Sequence, residues 1–241
     1  MGGEPMLHTI FFDLDGTLLP MDEKVFTASY FKTLAAKAAP LGYEPKALAD
    51  AIWQGTAAMV KNDGDRTNEE AFWRCFASIY GEQALSHKPV FDAYYANEFQ
   101  QVRQDCGQNP KAVQAVKALQ EMGLRLVLAT NPIFPAVATE SRIRWAGLEP
   151  SDFVLYTCYE NARHAKPNPA YYQDILDALN LPAQGCLMVG NDATEDTAAA
   201  KAGLDVFLLT DCLINTRHED ISRYPHGGFD ELMTYIHRQM A

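Results

Sequence analysis

FFDLDGTL, at residues 11–18, is the stretch on which the fold turns. It completes the apolar run LHTIFF of residues 7–12, which has the length of a buried strand, and passes without a break into Asp13, Leu14, Asp15, Gly16 and Thr17. In extended backbone, side chains two apart share a face, so Asp13 and Asp15 leave the carboxyl end of this strand together. Open parallel sheets place ligands at that end. Gly16 permits a sharp departure of the chain and a close approach of backbone amides to an anion. An Asp-x-Asp alone is more often an acidic turn than a site, so its meaning depends on the rest of the chain.

Downstream, short apolar runs alternate with helical patterns in the manner of βα units in a parallel sheet. Residues 124–129 (LRLVLA), 153–156 (FVLY), 186–189 (CLMV) and 206–209 (VFLL) are predicted strands. Asn168-Pro169 and Asn109-Pro110 each predict a helix start, with an N-cap and a proline at the first helical position. Helices are also expected at 136–146, before Gly147, and at 195–202, before Gly203. Between the first and second strands no such alternation occurs. Phe26, Tyr30, Phe31 and Leu34 form one helical face, and Leu48, Ile52 and Met59 a second. Thr67 and Glu70 make a capping box before Phe72, Phe76 and Ile79, and Phe91, Tyr95, Phe99 and Val102 give a fourth face. Helices of this kind bury their stripes by bundling. The expected organisation is an α/β parallel five-stranded core (residues 1–19 and 106–241) carrying an inserted α-helical domain (residues 20–105).

Three polar clusters accompany the later strands and helix starts: Thr130-Asn131, Lys166-Pro167, and Asn191-Asp192 with Glu195-Asp196 just beyond. Singly, each reads as a turn, a solvated lysine or a helix-capping acid. In register they give an acid pair, a hydroxyl donor, a lysine and a second acid pair. This order resembles the haloacid dehalogenase superfamily of phosphohydrolases, in the subgroup whose α-helical cap lies between the first two motifs.

The resemblance implies a Rossmann-like core with strand order 5-4-1-2-3, which would bring Asp13, Thr130 and Asp192 together. It implies Asp13 as nucleophile, forming an aspartyl-phosphate, and Asp15 as general acid and then general base. Thr130, the Asn131 amide and Lys166 would bind the phosphoryl oxygens. It also implies Mg²⁺, held by the Asp13 carboxylate, the Asp15 carbonyl and an acid of the fourth cluster. Asn191 stands where many relatives have aspartate, so two registers are open: Asp192 holds the metal, or Asn191 takes that place and Asp196 carries more of the load. The expectation is Asp192 as ligand, with Asn191 and Asp196 in support. Asp15 favours phosphoryl transfer over dehalogenation, because halide leaves without a proton. A phosphomutase, a dehalogenase and a non-catalytic binding protein are the alternatives.

Composition narrows the setting. The chain has 241 residues, 48% hydrophobic, with 20 Lys+Arg against 31 Asp+Glu, a net charge of −11 that disfavours nucleic acid. Five scattered cysteines fit free thiols in a reducing compartment, and no apolar run approaches the roughly 18–20 residues of a membrane span. The expected partner is a small phosphate ester, the expected location cytoplasmic, and the expected state a monomer or homodimer. The aromatic residues of the insertion, Trp53 and Trp73 included, are expected to form its core, and the polar loop at residues 61–66 to face solvent.

Overall fold

A computed structural model describes residues 7–240. The first strand, β1 (Thr9–Phe12), is buried along its whole length. It is flanked by β2 (Arg125–Leu128) and β4 (Cys186–Gly190), and both pairings are parallel. With β3 (Leu155–Tyr156), β5 (Asp205–Leu209) and β6 (His226–Gly227) the sheet runs β3-β2-β1-β4-β5-β6, parallel throughout. The first five strands keep the expected order. The sixth corrects the expected count of five: it has two residues, His226 and Gly227, too short and too polar to show periodicity, and it adds to the β5 edge.

Side chains of the sheet alternate between two apolar clusters, as a sheet covered on both faces requires. Ile10, Phe12, Leu126, Leu128, Leu187 and Val189 join one; Phe11, Val127, Met188 and Leu208 join the other. Helices α5 (Pro110–Glu121), α6 (Ala136–Trp145) and α8 (Phe229–Gln239) contribute to the first cluster, and α7 (Pro169–Leu179) to the second. The expected caps are present: Asn109 accepts from the Lys111 amide at 3.0 Å and Asn168 from the Ala170 amide at 3.0 Å.

Residues between β1 and α5 form α1 (Glu23–Ala38), α2 (Pro45–Val60), α3 (Asn68–Tyr80) and α4 (Lys88–Ala96), with short 3₁₀ turns between and after them. The Thr67/Glu70 capping box opens α3. The expected fourth helix does not run through to Val102. It stops at Asn97, whose φ of −121° and ψ of −79° leave the helical region, and resumes as a 3₁₀ turn at Glu98–Asp105. The helix expected at 195–202 is likewise a 3₁₀ turn, Asp196–Ala202. Asp192 caps the approach to it, its Oδ1 accepting from the Thr194 and Glu195 amides.

Asn68, fully buried at the start of α3, ties this helical block to the sheet's rim. Its amide nitrogen donates to the Pro132 and His164 carbonyls, each at 3.2 Å, its backbone N–H donates to the Ala162 carbonyl at 2.8 Å, and its Oδ1 accepts from Asn62 at 2.9 Å. The loop at residues 61–66 therefore does not simply face solvent. Asn62 in it is buried, and the Gly64 carbonyl accepts from Arg163. Among the described residues no helix is long and apolar enough to cross a membrane.

Candidate active site

Register brings the polar clusters to one rim. Phe12 lies opposite Leu128 on one side and Val189 on the other, so the chain just beyond each strand, at Asp13, Thr130 and Asn191, opens at the same end. The Asp13 amide donates to the Val189 carbonyl at 2.9 Å and the Ala129 amide to the Phe12 carbonyl at 2.7 Å, which continues the pairing up to the site. Gly16 then turns the chain at φ +77°, and any Cβ there would fall on the Asn191 carboxamide. Only glycine combines that backbone conformation with that contact.

Lys166 is at the centre. Its side chain is 1% exposed, and its Nζ donates to Asp13 Oδ1 at 2.8 Å and to Asp196 Oδ1 at 2.7 Å. Asp13 Oδ2 accepts from the Thr17 hydroxyl at 3.2 Å, and the same hydroxyl bonds Asn191 Oδ1 at 2.9 Å. Asp196 Oδ2 accepts from the Asp192 amide at 2.9 Å. Asn131 accepts from the Lys166 amide and donates to both oxygens of Glu195. The Thr130 carbonyl accepts from Thr157 and Tyr171, which fixes its backbone, while its hydroxyl bonds no described residue.

Asp15 takes a different direction. Its Oδ2 is paired with Arg142, whose guanidinium is 1% exposed and lies 4.4 Å from the centre of the Phe134 ring, and its Oδ1 is buried without a partner. Sequence reasoning missed Arg142. The signal was there: with Ala138, Trp145 and Ala146 it sits at helical spacing on the buried face of α6, where a charge requires a partner. Removing one member of a buried pair strands the other. Asp15→Ala is therefore expected to lower stability by about 3 kcal/mol, the lower end of the usual cost, because Asp15 is itself 28% exposed. Asp15→Asn keeps an oxygen for Arg142 and most of the stability. Equal urea midpoints for the two variants would show that Arg142 does not depend on this carboxylate.

Acids outnumber cations at the rim. Burial pushes the Asp13 carboxyl up to about 7, against the pull of Lys166 and helped by Asp196 and Asp15. Burial and neighbouring acids push Glu195 up to about 8, although Lys166 draws it down. Glu23, at the start of α1, is raised by burial and by the charges of Asp192, Asp15 and Asp22. Burial opposes the Lys166 charge, but Asp13 and Asp196 outweigh it and hold the ammonium well above its ordinary range. The oxygens at the centre include spare acceptors. The Asp15 carbonyl and Asp192 Oδ2 accept no hydrogen bond from a described residue, and Asp13 keeps free lone pairs. Among the described residues no three His, Cys, Asp or Glu side chains close into a protein-only cage. Such a donor set, hard oxygens with excess negative charge, fits a magnesium ion that retains water and substrate ligands.

A family model for haloacid dehalogenase-like hydrolases matches residues 7–203, from the approach to β1 to Gly203, which closes the Asp196–Ala202 turn. The chain belongs to the haloacid dehalogenase-like hydrolase family. Its relatives in this family include the phosphoglycolate phosphatase of Rhodobacter capsulatus, 27% identical over 227 residues and covering 92% of each chain. A second, the phosphoglycolate phosphatase of Neisseria gonorrhoeae, is 25% identical over 198 residues, 81% of this chain and 76% of the relative. Among solved structures, a 2-haloacid dehalogenase from Pseudomonas syringae pv. tomato superposes with a TM-score of 0.65 at 19% identity, covering 97% of this chain and 99% of that one. At that identity the likeness shows a shared haloacid dehalogenase-like fold.

Proposed function

We propose that this hydrolase is a Mg²⁺-dependent phosphomonoesterase that works on a small phosphorylated metabolite through an aspartyl-phosphate on Asp13. The observation that carries the reading is the buried chain Asp13–Lys166–Asp196 at the rim where β1, β2 and β4 end. Lys166 orients one oxygen of Asp13 and Thr17 the other, which holds the carboxylate in one direction for in-line attack on phosphorus. The Lys166 ammonium and the unpaired Thr130 hydroxyl, with the Asn131 amide, are the donors for charge that develops on the transferring oxygens. Asp15 protonates the leaving oxygen and then takes a proton from the attacking water. Arg142 anchors its Oδ2 and leaves Oδ1 for the proton.

Asp13, the Asp15 carbonyl and Asp192 would hold the Mg²⁺, which when bound neutralises the acids and the phosphoryl charge together. Asp196, engaged by Lys166 and the Asp192 amide, supports them from behind. The names of the phosphoglycolate phosphatase relatives support phosphatase chemistry for this chain. Asp15 favours it over halide displacement, which needs no proton at the leaving group. Five free cysteines fit a reducing, cytoplasmic setting.

Release of inorganic phosphate from a panel of phosphomonoesters tests the reading. Turnover is expected with Mg²⁺ and a fall of at least about 10³-fold with excess EDTA, restored by added Mg²⁺. Phosphate release that is equal in Mg²⁺ and EDTA would refute it.

A further inference from the structure

Beside Asp15, between the helical block and the sheet's rim, lies a cavity of about 240 Å³. Its walls are largely aromatic, Phe26, Phe31, Trp53, Phe72, Tyr95 and Phe134 among them. The charged residues that line it are Asp15, Glu23 and Asp92, and no lysine, arginine or histidine joins them. Asp92 already has Lys88 at 3.2 Å. The nearby cation Arg142 is buried on Asp15 and the Phe134 ring and forms no part of the wall. Trp53 was expected in the core of the helical insertion. It is instead 53% exposed, tilted against Phe31 with ring centres 5.6 Å apart, and it lines this space.

We propose that the substrate's leaving group is an uncharged, apolar alcohol of about the size of one ring, held among these aromatic walls. The inference rests on the phosphatase reading, because a proton donor at Asp15 makes the space beside it the leaving-group space. An apolar cavity of about 150 Å³ accommodates benzene, so this larger one takes a ring with a short linker. A carboxylate or second phosphate there would lose its hydration and find no free cation, since Arg142 and Lys88 are already taken by Asp15 and Asp92 and the third lining acid, Glu23, adds repulsion. Small esters of anionic alcohols, phosphoglycolate included, therefore suit this wall poorly. In the reaction, the ester P–O bond breaks as Asp13 bonds to phosphorus, and the Asp15 proton passes to the departing alcohol. Water then displaces Asp13 from phosphorus and returns a proton to Asp15, which releases inorganic phosphate.

The test compares kcat/KM with Mg²⁺ for benzyl phosphate, 2-phenylethyl phosphate and phosphoglycolate. Benzyl and phenylethyl alcohols are ordinary alkoxide leaving groups, so differences report the cavity and not the activated chemistry of a phenol. The expected result is a preference of about 10²-fold or more for the two ring-bearing esters. Trp53→Ala, at a half-exposed position, is expected to raise KM for benzyl phosphate about tenfold with a smaller change in kcat. Phosphoglycolate cleaved as efficiently as benzyl phosphate would overturn the inference and leave the phosphatase reading standing. Magnesium-dependent cleavage of no ester at all would overturn both.

Discussion

Asp13→Asn is expected to reduce phosphomonoester turnover by about 10⁴-fold or more while leaving the protein folded. The size follows from loss of the proposed nucleophile, since members of a catalytic unit removed singly cost nearly as much as the whole unit. Retention of the fold follows from the contacts. A carboxamide oxygen still accepts from Lys166, a carboxamide remains within reach of Thr17, and Lys166 keeps Asp196 as its counter-charge. Two measurements separate chemistry from structure: acid-quenched trapping of labelled phosphoenzyme, expected in wild type and absent in Asp13→Asn, and a thermal melt, expected to shift by a few degrees at most. Trapped phosphate in the variant at the wild-type level would move the nucleophile elsewhere.

Lys166→Met is expected to injure both activity and stability. Methionine fills a similar volume but removes the ammonium that two buried carboxylates share, and stranding a buried charge costs about 3–5 kcal/mol. For a chain of this length that corresponds to a melting temperature lower by roughly 10 °C. With Lys166 in its proposed role as a donor to the transferring oxygens, turnover is expected to fall by about 10²–10³-fold, the usual effect of removing one such donor. The stability loss depends on pH. Asp13 already titrates at about 7, raised from its ordinary range, so its ionisation destabilises the fold as pH rises through that value. Without Lys166, which draws that value down, ionising Asp13 becomes costlier still. The deficit against wild type is therefore expected to widen above pH 7 and to narrow below it. Chemical denaturation across that range measures it, and a deficit that does not change with pH would mean that the lysine does not offset Asp13.

What the sequence made legible was what local pattern encodes. The strand ending in Asp13 announces itself because an apolar run meets acids, glycine and threonine, and register then follows from the buried alternation of β1, β2 and β4. Caps at Asn109, Thr67 and Asn168 read directly because their side chains bond to amides two or three residues away. Features set by approach in space did not read. The Asp15–Arg142 pair joins residues 127 apart, and only the misfit of an arginine on an apolar helical face hints at it. Asn97 breaks its helix where periodicity predicts continuation, and β6 is two residues that gain strand character only by lying beside Leu208. Trp53 resembles a core residue in one dimension, and its half exposure beside a cavity depends on helices that leave that side open.

Asn68 has a mechanical consequence. One side chain clasps the carbonyls of Pro132 and His164, the first one residue beyond Asn131 and the second two residues before Lys166. Any swing of the helices away from the rim must either pivot about this knot or tear buried hydrogen bonds that water has to replace. In the first case it is a fulcrum, and leverage on the far end of the bundle would reach the loops that carry Asn131 and Lys166 at once.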